Sequence, residues 1–193
     1  MLLHSFRITP NNRKVEACIV HFDLPVEVHQ VSFKDKETQT DEYFELNPNR
    51  RVPVLVDGNF KLWESNAILT YLARKFPETS ALPTDIQGRA DADRWLHWQS
   101  SHLMPFMGAV KTGVETDLNN IKPWFTALEV PLKDNDYVLG SLSVVDFAVA
   151  AYLMTKLGNK LDYSEHPGVD AWRNRMTNLK GFVETQVKMP PAA

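Results

Sequence analysis

Two short stretches constrain this chain more than any other part of it. Arg51-Val52-Pro53-Val54-Leu55 is an X-Pro step entering a β-branched run, and Trp63-Glu64-Ser65-Asn66-Ala67-Ile68 carries a Glu-Ser pair into an amphipathic helix. Asp57-Gly58-Asn59 supplies turn residues between them, so Val54–Val56 and Phe60–Trp63 are expected to pair as a hairpin. That layout presents a backbone edge at Val52 and an anion-binding helix start at Ser65 to the same side. Such a pair of sites suits a short peptide carrying a carboxylate.

The residues before this hairpin alternate strand and helix signals. Leu2–Phe6 is a short apolar strand, and Thr9-Pro10 opens a helix with Thr9 as N-cap and Pro10 as its first residue. Val15, Cys18, Ile19 and Phe22 recur at helical spacing and are expected to face a sheet. Val26, Val28 and Val31 suggest a second strand, parallel to the first because a helix joins them. A short helix over 40–46 leads through Asn47-Pro48-Asn49 to the hairpin. The helix from Ser65 turns Ile68, Leu69 and Leu72 inward and stops before Pro77. The order β-α-β-α-β-β-α is that of a thioredoxin-like domain over residues 1–77.

Residues 78–87 contain Pro83 and no periodic pattern, and read as a linker. Beyond it, over 88–193, strand signals stop and an all-helical domain is expected. Helix patterns cover 89–110, 121–128, 144–157, 167–177 and 181–187, with Pro105 and Pro123 positioned to end or kink a helix. Ser143-Val144-Val145-Asp146 has the spacing of a capping box, with Leu142 and Phe147 flanking it as a hydrophobic staple.

Composition excludes several function classes. The 193 residues are 44% apolar with a formal net charge of −3, which gives no electrostatic case for nucleic acid or an anionic membrane. No apolar run approaches the roughly 18 residues that span a bilayer, and no signal-peptide pattern precedes Leu2-Leu3-His4. The single cysteine, Cys18, excludes an internal disulfide framework and fits a reducing, cytoplasmic setting. His97 and His102 are five apart, so a helix does not place them on one face, and no metal site is expected.

The ordered set Thr9-Pro10-Asn11 with Arg13-Lys14-Val15, Asn47-Pro48 to Val52-Pro53, Glu64-Ser65, Trp95–Gln99 leading to Leu103-Met104-Pro105, and the Ser143–Asp146 box resembles the cytosolic glutathione S-transferases. The Thr-Pro-Asn start and the Trp-Gln segment resemble the bacterial nu-type, disulfide-reductase-like branch. The resemblance implies a glutathione transferase fold and glutathione as co-substrate. It also implies a homodimer, and a small hydrophobic electrophile or a disulfide as second substrate.

It also implies roles for particular residues. Val52, before a cis Pro53, would pair with the cysteinyl backbone of glutathione. Ser65 would hold the γ-glutamyl carboxylate, with Glu64 beside the ammonium group. Arg51, or Arg50 next to it, would meet the glycine carboxylate. Gln99 is a candidate for the partner subunit's ligand or for plain core packing. The helix start at Thr9-Pro10-Asn11-Asn12 has no cysteine where thioredoxins keep two, so a dithiol mechanism is excluded and the reactive sulfur must come from glutathione. Thr9 matches a family position often held by serine, and Asn11 matches a second sulfur neighbour in the nu-type branch; the alternative for Thr9 is a plain helix cap. Phe6, Ile8, Met104 and Met107, with Leu103 and Phe106, are candidates for an apolar second-substrate wall. Cys18 faces inward as a buried thiol. The competing reading is a non-catalytic interaction module that uses this fold for protein contacts, as in translation-factor subunits and stringent-starvation-type proteins.

Overall fold

The computed structural model of the chain describes residues 1–187. Contacts divide it into two compact units, Met1–Tyr71 together with the segment from Leu179, and Leu72–Asn178.

The first unit is built on a four-stranded sheet in the order β2-β1-β3-β4. Strand β1 (Leu2–Ser5) is followed by helix α1 (Pro10–His21) and by β2 (Glu27–Gln30), which runs parallel to β1 with His4 opposite His29 and Ser5 opposite Gln30. A 3₁₀ turn, Glu37–Gln39, precedes α2 (Asp41–Leu46), whose N-cap Thr40 accepts from the Tyr43 N–H. Strands β3 (Val54–Asp57) and β4 (Phe60–Trp63) form the expected hairpin, closed by Gly58 at a left-handed φ of 58°. Helix α3 (Ser65–Lys75) follows and turns Ile68, Leu69 and Leu72 into the interior, each at 0% exposure. The mixed sheet and its helices are a thioredoxin-like fold.

Three parts of the helical half differ from the sequence reading. The expected helix over 89–110 is α4 (Ile86–Trp98), a π-helical segment (Gln99–Leu103) and α5 (Met104–Thr112). Pro105 cannot donate its missing N–H to the preceding turn, and the wider π turn sits just before it. Helix α6 (Lys122–Leu132) runs past the expected end and keeps Pro131 inside it. Helix α7 (Val144–Leu153) stops short of 157, where the Leu153 carbonyl accepts from Arg173 Nε at 3.1 Å. Helix α8 (Pro167–Thr177) lies where the pattern put it.

The last described helix, α9 (Lys180–Glu184), belongs to the first unit, although sequence order groups it with the helical half. It packs on α1: a Cβ at Gly181 would stand 2.0 Å from the Ala17 carbonyl oxygen. Arg13 donates to the Phe182 carbonyl at 3.0 Å, and Lys180 pairs with Asp23. Residues 188–193 of the expected helical domain lie outside the described chain.

The second unit is organised around α7, all ten residues of which are buried. Asp146 is its polar hub. Its carboxylate accepts from the Ser143 N–H (2.9 Å), the Ser143 hydroxyl (2.9 Å), the Val138 N–H (3.0 Å) and Trp172 Nε1 (2.8 Å). The expected capping box is therefore present, and it also ties α8 to α7 through Trp172. Among the described residues no helix is long and apolar enough to cross a membrane.

Candidate functional site

Strand register decides which segments meet. His4 pairs with Val54, Val54 pairs with Trp63, and Ser5 pairs with Gln30. The chain therefore leaves β1 toward Thr9, enters β3 from Val52 and leaves β4 toward Ser65 at the same end of the sheet. The segment following β2 leaves there as well. This is the end where chain reversals and helix starts gather polar backbone groups, as in other open α/β sheets.

At the start of α1, Thr9 is the N-cap by backbone geometry, but its side chain makes no capping hydrogen bond. Asn12 Nδ2 donates to the Thr9 hydroxyl oxygen at 2.5 Å, and the nearest acceptor for the hydroxyl proton is the Phe6 carbonyl at 3.4 Å, a weak contact. Asn12 Oδ1 in turn accepts from the Phe6 N–H (3.0 Å) and the Ser5 hydroxyl (3.2 Å). Asn12, only 1% exposed, thus orients Thr9 from below. Asn11 is the second residue of α1 and is half-buried. Glu16, also buried, anchors this layer by accepting from Ser5, Arg7 and Gln30.

The Val52–Pro53 bond is cis. Val52 precedes the ladder, whose registered pairs begin at Val54, and its side chain packs on the cluster of Val31, Tyr43 and Val54. The Arg51 carbonyl is held by Asn47 Nδ2 (2.9 Å) and the Tyr43 hydroxyl (3.1 Å), which fixes the approach to Val52. This gives the Asn47-Pro48 motif a local purpose.

Arg51 and Arg50 differ in what their side chains do. The Arg50 guanidinium donates to the Thr40 carbonyl at 2.7 Å, lies 3.5 Å from the Asp41 carboxylate and stacks over Phe44 at 5.1 Å. It staples the loop before α2. Arg51 is exposed and lines a cavity of about 450 Å³ together with Lys36, Gln39 and Phe33. Lys36, Gln39 and Phe33 had no periodic or motif signal in the sequence.

At α3, Ser65 is the first helical residue and is 6% exposed. Glu64 before it is exposed and holds a left-handed φ of 74°. For a residue with a Cβ that conformation costs about 1–2 kcal/mol, a kind of strain that gathers at binding sites. Beneath this turn lies Lys14, 1% exposed, whose ammonium donates to Asn66 Oδ1 at 2.6 Å. Burial pushes the Lys14 ammonium down to about 7, and the nearby Glu64 opposes that shift. Lys14 was invisible as a site residue, yet it stands four positions before Cys18 on the inward stripe of α1.

The other expected positions are less concentrated. Phe6 is half-buried with its ring 4.7 Å from that of Phe33, and Ile8 is 63% exposed. Both lie in the first unit. Met104 and Met107 lie in the second, where Met104 is half-buried and Met107, at 5% exposure, packs in the interior with Leu103 and Phe106. Gln99 is fully buried and bonds the Tyr152 hydroxyl. Cys18 is 1% exposed, and burial pushes its thiol up to about 12, so it carries no thiolate at neutral pH.

Residues 1–74 match the family model of the glutathione S-transferase N-terminal domain. Glutathione S-transferase theta-1 of Mus musculus is 30% identical over 179 residues, covering 82% of this chain and 75% of that protein. The chain belongs to the glutathione S-transferase family. Glutathione S-transferase D7 of Drosophila melanogaster is 28% identical, covering 88% of this chain and 81% of its own. The solved glutathione transferase of Burkholderia graminis, with two glutathione molecules bound per subunit, superposes with a TM-score of 0.84 at 26% identity. It covers 95% of this chain and 86% of its own. Within this glutathione S-transferase the thioredoxin-like unit holds Thr9, Asn11, Val52, Glu64 and Ser65 around one end of one sheet.

Proposed function

We propose that this glutathione S-transferase binds glutathione at the sheet end bounded by Thr9, Val52 and Ser65 and uses the ligand's thiolate in catalysis. The observation that carries this reading is the convergence itself. A strand entry outside the ladder at Val52, a buried serine opening α3, and a hydroxyl at Thr9 not spent on capping all leave the sheet at one edge. Glutathione offers a complementary group to each. Its cysteinyl backbone pairs with Val52, and its γ-glutamyl carboxylate meets the N–H groups and positive dipole end of α3 at Ser65. Glu64 lies beside its ammonium. The glycine carboxylate lies toward Arg51 and Lys36, both on the 450 Å³ cavity.

A thiol of pKa about 8.5 is mostly protonated at neutral pH. Asn12 donates to the Thr9 oxygen, so the Thr9 proton is available as a donor, and in this reading it turns from its weak 3.4 Å contact with the Phe6 carbonyl to the ligand sulfur. Hydrogen-bond donation by Thr9 and Asn11 then stabilises the thiolate. Lowering a thiol pKa by two units takes about 2.7 kcal/mol, within the range of two charge-assisted hydrogen bonds. Buried Cys18 takes no part. The Thr9-Pro10-Asn11 start favours reduction of disulfides or hydroperoxides over rapid conjugation of aryl halides, and it supports placing the chain in the nu-type branch. The second substrate lies over the sulfur against Phe6 and Ile8. The working form is a homodimer, which light scattering would report as twice the 22.0 kDa chain mass.

Calorimetry with glutathione tests the binding reading. The expected affinity is micromolar to millimolar, roughly −4 to −8 kcal/mol. Ser65→Ala is expected to weaken it by about 1–3 kcal/mol by leaving the carboxylate under-paired. Absence of binding, or an unchanged affinity in the variant, rejects the site. Glutathione-dependent reduction of a small disulfide and of a hydroperoxide, run beside aryl-halide conjugation, tests the chemistry. Silence in all three assays despite binding would favour the non-catalytic interaction module instead.

A further inference from the structure

We propose that His4, His29 and Glu37 form a binding site for a divalent transition-metal ion of the zinc type. His4 on β1 and His29 on β2 are cross-strand partners in the parallel register, so both side chains rise from the same face of the sheet. Glu37 reaches them from the 3₁₀ turn that follows β2. The three side chains each offer a ligand atom, and these atoms lie within 4.8 Å of one another. Two imidazoles and one carboxylate are a donor set that zinc, cobalt and nickel accept and that magnesium and calcium, which prefer all-oxygen shells, do not.

The surroundings are those of a supported ligand set. Glu37 Oε2 accepts from the Ser32 N–H at 2.8 Å, which fixes the carboxylate and turns Oε1 toward His29 Nε2 at 2.6 Å. The His4 ring is held edge-on by Tyr43 (6.0 Å between centroids) and by His29 (5.4 Å). His4 Nδ1 is shielded from solvent and has no hydrogen-bond partner. A tetrahedral ion with bonds near 2.0–2.1 Å sets its ligand atoms about 3.3 Å apart. The His29–Glu37 pair must open by less than 1 Å to meet that spacing, while the widest separation closes. His29 is exposed and Glu37 half-buried, so side-chain rotation suffices and the sheet need not move.

The ion would also tie the 3₁₀ turn to the sheet. Lys36, Thr38 and Gln39 on that turn line the cavity that contains Arg51. The site is distinct from the proposed thiolate site, and its metal affinity can be measured with no glutathione present.

The test uses untagged full-length protein freed of metal with a chelator. Zinc titration by calorimetry is expected to give one equivalent per chain. Cobalt titration is expected to give the visible absorption of a low-symmetry, nitrogen-ligated ion that zinc displaces. Glu37→Gln and His29→Ala, both at solvent-reached positions, should each weaken binding by about tenfold or more, at least the loss seen when even an outer-shell partner is removed. Thermal melts without metal establish that both variants are folded. Absence of saturable binding overturns the proposal, and so does one-to-one binding that neither substitution weakens.

Discussion

Replacing Lys14 with methionine preserves side-chain length and removes a buried charge from beneath Ser65. Lys14 is 1% exposed, and its ammonium is lowered from 10.5 to about 7 by burial, against the pull of Glu64. In the unfolded chain the amine keeps its proton up to about pH 10.4. Between pH 7 and that value the unfolded state binds more protons than the native state, so native stability rises with pH through the window. Below pH 7 both states hold the proton, and the whole cost of burying the ammonium is present. A pKa lowered from 10.5 to about 7 corresponds to roughly 5 kcal/mol. Between pH 6 and pH 9.5 the part that changes is roughly 3 kcal/mol. Lys14→Met also loses the hydrogen bond to Asn66, a cost of about 1 kcal/mol that does not depend on pH. The variant is therefore expected to exceed the parent by roughly 3–4 kcal/mol at pH 6 and to match it near pH 9.5. Urea denaturation of both proteins at the two pH values measures this, and pH effects shared by both proteins cancel in the difference. A stability difference that is the same at both pH values refutes the reasoning. Below about pH 7 the protonated Lys14 supplies positive potential to the proposed carboxylate site under the start of α3, so at pH 6 Lys14→Met is also expected to bind glutathione more weakly.

Asp146→Ala strands four donors in the interior of the helical unit, among them Trp172 Nε1 and the Ser143 and Val138 N–H groups. It is expected to cost about 3–5 kcal/mol in a denaturation series, and a loss under about 1 kcal/mol would contradict the hub assignment. Thr9→Val and Asn11→Ala are each expected to lower glutathione-dependent turnover by about tenfold or more, since one donor to a thiolate contributes 1.4 kcal/mol or above. Asn12→Ala should produce a similar loss by releasing the Thr9 hydroxyl, whereas Cys18→Ser should retain turnover, because a thiol pushed up to about 12 is not the nucleophile. Steady-state rates that fall only in Cys18→Ser would relocate the reactive sulfur to the protein.

Local chemistry made much of this chain legible without coordinates. The Asp57-Gly58-Asn59 turn, the Thr9-Pro10 helix start, the Glu64-Ser65 start and the Ser143–Asp146 box each depend on residues within a few positions of one another. Their physical causes are backbone preference and nearby hydrogen bonds, which sequence records directly. The ordered motifs were enough to indicate the family.

Long-range contacts decided the rest. Lys14 belongs to the inward stripe of α1, but only the packing of α3 across it shows that its ammonium meets Asn66. The partnership of Thr9 with Asn12 depends on Phe6 and Ser5 folding back over the helix start, so a position that reads as a cap has its hydroxyl used otherwise. Arg50 and Arg51 are adjacent, chemically identical and both on the cavity, and only the loop before α2 shows that the Arg50 guanidinium is tied to the Thr40 carbonyl. Met107 and Ile8 both carry an apolar signal, yet one is interior and the other exposed, a division that periodicity cannot make. Helix α9 follows the helical half in sequence but packs on α1, because Gly181 permits a backbone approach there that no other residue would allow. His4 lies far from His29 and Glu37 in the chain and the three form no motif; parallel strand pairing sets His4 beside His29, and the 3₁₀ turn after β2 brings Glu37 to them. Turns and helix starts were determined by neighbours in sequence, whereas side-chain partners and charge burial were determined by strand register and helix packing, which bring together residues that the linear order keeps apart.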